Sequence, residues 1–170
     1  GLYSSVLLAA MKRLESVCSV RAAHIDHGLQ VNSCKWEAHC RETASALGVK
    51  YVSSRIQIKN QSGHSLEALA REARYQALKG LLLPGEILLT AHHADDQLET
   101  LLFRLLRGSG VKGMRGIANF RRFGNGYLGR PLLHMTRREI QVIGLDWKLK
   151  WLDDPMNIDE RFDRNFLRKK

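Results

Sequence analysis

Residues 86–107, EILLTAHHADDQLETLLFRLLR, constrain the fold more than any other stretch, because a short apolar run breaks directly into two histidines and two aspartates that open a helix. Ile87, Leu88 and Leu89 predict a strand buried on both faces, as in a parallel sheet. From Asp95 onward Leu98, Leu101, Leu102, Leu105 and Leu106 recur at helical spacing. His92, His93, Asp95 and Asp96 therefore fall at the strand's C-terminal end and the helix N-terminus, where open α/β sheets bind ligands. Asp96 and Glu99 are three apart and share one helix face, which points two carboxylates into one small volume. Such a pair suits binding an ammonium, holding a metal or moving a proton. Asp95 and Asp96 also complement a helix dipole, and Asp95 suits an N-cap; four ionisable side chains crowded between two apolar runs weigh toward a site.

The rest of the chain supports an α/β reading. Residues 4–14 predict a helix, 19–25 a strand ending in Asp26-His27-Gly28, and 33–47 a helix with Ser33 as N-cap and Gly48 as its stop. Val49–Ile58 predicts a strand. A helix after Ser65 carries Leu66, Leu69, Ala70, Ala73, Ala77, Leu78 and Leu81 on one stripe, and Pro84-Gly85 ends it before the strand at 86–91. Strands alternating with long helices indicate βαβ units, a parallel sheet and right-handed crossovers. Beyond Arg107 the pattern changes: a glycine-rich loop, a hairpin over 117–130 around Gly124-Asn125-Gly126, and a helix over about 136–144 opened by Thr136 and Glu139 as a capping box. Trp147–Lys170 is polar and turn-rich, with a helix beginning at Arg164.

A chain of 170 residues with 44% hydrophobic content supports one globular core, so one domain is expected. No apolar run reaches the ~18 residues that cross a bilayer, and no signal layout opens the chain, so a cytoplasmic protein without a membrane partner is expected. Cys18, Cys34 and Cys40 are odd in number and lack CxxC spacing, which argues against a disulfide framework or a thiolate zinc site.

The net charge of +10 is unevenly placed. Residues 1–100 hold 11 Lys/Arg against 10 Asp/Glu, whereas residues 101–170 hold 16 against 7. The second part is thus expected to face a polyanion, and its cations are mostly arginines, whose planar fork suits phosphate. Aromatic residues are scattered along the sequence, which favours structured RNA read by shape and phosphate over base-stacking single-strand binding. At the other end, Gly1-Leu2-Tyr3-Ser4-Ser5 leads straight into an apolar helix, the layout of a phosphate loop at a helix N-terminus. The strand expected before such a loop is not in the sequence.

Taken together, HxDHGL at 24–29, EALAREARYQAL at 67–78, LLTAHHADDQLETLLFRLLRGSG at 88–110, RPLL at 130–133 and DDPMNIDERFDRNFLR at 153–168 resemble the tRNA(Ile)-lysidine synthetases. These belong to the PP-loop ATP pyrophosphatases, and the resemblance runs in order over essentially the whole chain. It implies a doubly wound parallel sheet of the adenine nucleotide alpha hydrolase type, here without its first strand. It also implies a ligase that uses ATP with Mg²⁺ to adenylate the C2 carbonyl oxygen of the wobble cytidine in a tRNA(Ile) with a CAU anticodon. Free L-lysine then displaces AMP to give lysidine. On this resemblance Asp96 and Glu99 orient lysine and handle its proton, with Asp95 near the same site. Gly1, Leu2, Ser4, Ser5, Asp26, His27, Gly28 and His92 line the ATP pocket, and Arg71, Arg74, Arg107 and Arg164 contact phosphates or tRNA. Residues 1–116 would form the nucleotide-binding core and 117–170 its basic, tRNA-facing extension, with the family's further C-terminal domains absent and a homodimer permitted.

One position departs from the family's SGGxDS loop: Tyr3 stands where the aspartate belongs. A phenol is neutral at pH 7 and larger than a carboxylate, so the expectation is that the 170 residues, as part of a longer protein, bind ATP poorly by themselves. Two rival readings remain open at this level. His24, Asp26, His27, His92, His93, Asp95 and Asp96 could ligate two metals in a phosphoesterase, and a degenerate copy could bind tRNA without catalysis.

Overall fold

Helix and strand alternate through most of the chain. A computed structural model describes residues 1–14, 16–26, 28, 33–58, 66–108 and 115–152. In order these form α1 (Leu2–Arg13), β1 (Arg21–Asp26), α2 (Ser33–Ala46), β2 (Lys50–Arg55), α3 (Leu66–Leu81), β3 (Ile87–Leu89), α4 (Ala94–Leu106), β4 (Phe120–Phe123), β5 (Gly126–Gly129) and α5 (Arg137–Asp146). The expected helix at Arg164 lies outside the described residues. None of the described helices is long and apolar enough to cross a membrane.

The chain divides into two compact units, one of Gly1–Leu7, Ile87–Phe123 and Tyr127–Lys170, the other of Leu8–Glu86 and Gly124–Gly126. In the second, β1 and β2 pair in parallel from Arg21↔Lys50 to Asp26↔Arg55, with α2 as the crossover between them. Ile25, Ala44, Val49 and Leu82 are buried there. The start of β1 is tied to the end of α3 by Arg21, which donates to both oxygens of Glu86 at 2.9 and 2.5 Å and to the Leu81 carbonyl at 2.5 Å. This bond holds the Glu86 carboxyl below its ordinary range. Gly126 belongs to the same unit, and the place a Cβ would take there is filled by the Glu86 carbonyl oxygen, so only glycine fits.

In the first unit β3 pairs in parallel with β5 from Ile87↔Tyr127 to Leu89↔Gly129, and β5 pairs with β4 across the turn at Gly124-Asn125. Val6, Phe123, Leu128, Leu132, Leu133 and Ile140 are buried. α5 begins as the sequence predicts, with Thr136 as N-cap and Glu139 closing a capping box. Bonds from the Thr136 N–H and hydroxyl hold the Glu139 carboxyl below its ordinary range. Close approach of α5 to α1 requires Gly144, since a Cβ there would stand 2.6 Å from Leu2 Cδ1.

β3 differs from its expected environment. Among the described residues it is an edge of the three-stranded sheet, pairing on one side, and it leaves Ile87 52% exposed rather than covered on both faces. Likewise the leucine stripe of α4 is not buried along its length: Leu98, Leu102, Leu105 and Leu106 are exposed. Periodicity selects the face that can be buried, and tertiary packing decides how much of it is.

Candidate functional site

Past Leu89 the chain turns through four residues into α4. The Thr90 N–H donates to the Gly129 carbonyl at 3.1 Å, and Thr90 Oγ1 lies 2.9 Å from His92 Nδ1. His93, in extended conformation, is the N-cap of α4, and Asp96 Oδ2 accepts its backbone N–H at 2.9 Å. Asp95 does not cap its own helix. Its Oδ2 accepts the backbone N–H of Arg137 at 2.9 Å, while the Ala94 N–H donates to the Met135 carbonyl at 2.8 Å. Two helix starts are thereby cross-linked, α4 to α5, and an orphan donor of α5's first turn is satisfied by a carboxylate from elsewhere in the chain.

His93 is the hub. Its side chain is 3% exposed, with Nδ1 3.4 Å from Asp95 Oδ2 and Nε2 3.6 Å from Asp96 Oδ2. The Nδ1 makes no aligned hydrogen bond. The ring of Tyr3 meets the His93 ring edge-on, with centroids 4.4 Å apart. This contact sets the start of α1 beside the start of α4. At the former, the Gly1 carbonyl accepts both the N–H and the hydroxyl of Ser5 at 3.2 Å; Ser5 is buried and Ser4 exposed. Glu99, one turn beyond Asp96 on α4, is buried at 8% exposure. The predicted trio Asp95, Asp96 and Glu99 and the loop residues Gly1, Leu2, Ser4 and Ser5 thus lie in one unit with His92.

Three residues take roles that the sequence reading did not give them. Gln97 grips the chain twenty residues on, accepting the Ile117 N–H at 2.5 Å and donating to the Ile117 carbonyl at 3.2 Å, while Arg104 bonds the Gly116 carbonyl at 3.0 Å. Arg130 is buried at 5% exposure and donates to the Ala118 carbonyl at 2.5 Å. All three sit inside motifs singled out above, but neither spacing nor charge reveals partners in a loop that distant.

In the unit containing β1, Asp26 Oδ1 accepts the Gly28 N–H at 2.9 Å, and Oδ2 lies 3.4 Å from Nε of the exposed Arg55. Burial pushes the His24 imidazole on β1 below its ordinary range, against the pull of Glu37 and Asp26. Arg71 and Arg74 of α3 both stand over the Tyr75 ring, at 5.4 and 5.7 Å from its centroid. Arg107 caps the end of α4 over Phe103. His27 and Arg164 lie outside the described residues. The cysteines are free, with Cys18 and Cys34 exposed. Among the described residues no group of three or more His, Cys, Asp or Glu is arranged to hold a metal ion, which leaves the phosphoesterase reading without support from them.

The whole chain, residues 1–170, matches the PP-loop domain family. It is 45% identical over 171 residues to the tRNA(Ile)-lysidine synthase of Pseudomonas syringae pv. tomato, covering 99% of this chain and 38% of that protein. It is 48% identical over 170 residues to the synthase of Alkalilimnicola ehrlichii, again covering 99% and 38%. With the synthase of Methylococcus capsulatus it shares 45% identity over 172 residues, covering 100% and 39%. The chain therefore spans less than two fifths of the length of these relatives. Among solved structures, the U34-tRNA thiolase NcsA of Methanococcus maripaludis superposes with a TM-score of 0.75 at 13% identity, over 91% of this chain and 57% of that one. At that identity the likeness speaks to fold alone.

Proposed function

The chain belongs to the PP-loop domain family, and on that premise we propose that it is the ATP-handling part of a ligase that joins lysine to C2 of the wobble cytidine of a tRNA(Ile) with a CAU anticodon. A neutral C2 carbonyl is a poor electrophile. Attack of its oxygen on the α-phosphorus of ATP expels pyrophosphate and leaves an adenylated base. The ε-amine of lysine then attacks C2 and AMP departs, with one proton removed from nitrogen. Free lysine carries that amine protonated at neutral pH, its pKa being about 10.4, so the site must hold an ammonium and then take its proton. Asp96 and Glu99, on one face of α4 and largely withdrawn from water, suit these tasks.

The start of α1 suits the phosphates, since first-turn amides of a helix lack intrahelical acceptors and the dipole favours an anion. Magnesium does not fit at position 3, where Tyr3 supplies a neutral phenol packed on His93 and no carboxylate. Asp95, engaged by the Arg137 N–H, acts as a brace for the acidic turn. Arg107 is proposed to meet tRNA phosphate from the exposed end of α4.

The observation that carries the reading is the Tyr3–His93 contact, because it brings an anion-binding helix start against an acidic one, as a reaction between an ATP-activated base and an amine requires. Incubation of the protein with ATP, radiolabelled lysine and total tRNA tests it. Label should enter RNA only when ATP is present; no incorporation, or incorporation independent of ATP, overturns the assignment.

A further inference from the structure

The β4–β5 hairpin carries an aromatic stack that sequence scatter concealed. Its two-residue turn sets Arg122 opposite Tyr127, and the alternation of a strand puts Phe120 and Arg122 on one face with Phe123 on the other. Phe123 is buried, whereas Phe120 is 55% exposed. The Phe120 and Tyr127 rings stack at 5.1 Å between centroids and 17° between planes, and the Arg122 guanidinium lies 5.7 Å from the Tyr127 centroid. Ile87, Tyr127's neighbour across the ladder, extends the exposed strip. Arg121 and Arg122 are both exposed, and the sequence from Arg115 to Arg138 contains six arginines and no acidic residue.

We propose that this hairpin face is an RNA contact, in which an unpaired base of the substrate stacks on Phe120 and Tyr127 while Arg122 takes a flanking phosphate. The inference rests on RNA being the substrate, as proposed above, and adds where and how it is gripped. A near-parallel aromatic pair with an exposed member offers a ready third layer to a flat base, and every base has a π-face. Cations in a run of sequence without acidic residues complement a phosphate backbone. Such stacking selects a loop, bulge or end, because a continuous duplex presents no splayed base.

Filter binding of a tRNA transcript with a CAU anticodon, run beside a fully paired RNA duplex over a range of salt, tests the surface. Phe120→Ala should weaken tRNA binding roughly fivefold to a hundredfold and leave duplex binding unchanged. Phe120→Trp, which keeps the stack, should bind tRNA as the unaltered protein does. Arg122→Ala should weaken both RNAs and reduce the salt slope by about 1. Circular dichroism identifies any variant that fails to fold, in which case Phe120→Trp and Arg122→Ala still decide the matter. Folded variants that bind tRNA like the unaltered protein overturn the hairpin contact alone. A change in gel-filtration mobility without a change in RNA binding also overturns it, marking the face as a protein surface. Failure of the unaltered protein to bind tRNA removes the proposed substrate together with this surface.

Discussion

Two strands, each paired in parallel within its own sheet, end in acidic turns, and the molecule treats their carboxylates differently. At the end of β1, Asp26 is turned onto the Gly28 N–H and faces the exposed guanidinium of Arg55. At the end of β3, Asp95 and Asp96 accept backbone N–H groups, from Arg137 and His93. A carboxylate opposite an arginine has a mobile cation already in attendance. One oriented by a backbone amide is fixed in place by a dipole that brings no net positive charge. A shared motif, histidine next to aspartate after a strand, thus yields a turn brace in one place and an acidic helix start held by backbone amides in the other.

That contrast is sharpest in catalysis. Asp96→Asn or Glu99→Gln should lower lysine incorporation into tRNA by roughly 10²- to 10⁴-fold, the range for losing a positioned acid–base group. Arg55→Ala should leave the rate within a few-fold; equal losses from both ends would erase the distinction. Next in size is Tyr3→Asp, which restores a carboxylate beside the α1 start and should tighten Mg²⁺-dependent binding of labelled ATP by about tenfold. Tyr3→Phe should leave that binding unchanged, and a similar gain from it would assign the effect to packing.

Stability separates the two turns more finely. Asp95→Ala strips the exposed Arg137 N–H of its carboxylate acceptor and should cost about 0.5–1.5 kcal/mol in urea denaturation. A double-mutant cycle between Asp26 and the exposed Arg55 should return about 0–1 kcal/mol. The smallest effect concerns pH. Because Arg21 holds the folded Glu86 carboxyl below its unfolded value, that contribution is present above the unfolded pKa and is lost as pH falls through the lower, folded one. Acid titration of the urea midpoint should show this loss in the unaltered protein and not in Glu86→Gln.

Much of this architecture was legible in residues alone, and the reasons are local. The Thr136–Glu139 capping box and the Gly124-Asn125 turn each depend on neighbours within a few positions, and both form as the spacing predicts. The acidic start of α4 was legible because strand and helix periods meet there. What was not legible involves partners far apart in sequence. Asp95 suits an N-cap by position, yet it serves a helix 42 residues on. Phe120 and Tyr127 look scattered until a hairpin stacks them. Tyr3 reads as a lost aspartate, and only its place against His93 shows which part of the acidic turn it meets.

By itself, then, the sequence determined the succession of helices and strands, the polarity of their ends and the clustering of acids after one strand, because backbone hydrogen bonding and side-chain period act over a few residues. Tertiary structure alone decided which carboxylate braces and which is held within the acidic turn, which strand remains an edge and which aromatic rings meet. Those outcomes depend on long-range approach, where close packing and the need to satisfy buried polar groups select among arrangements that local patterns leave equivalent.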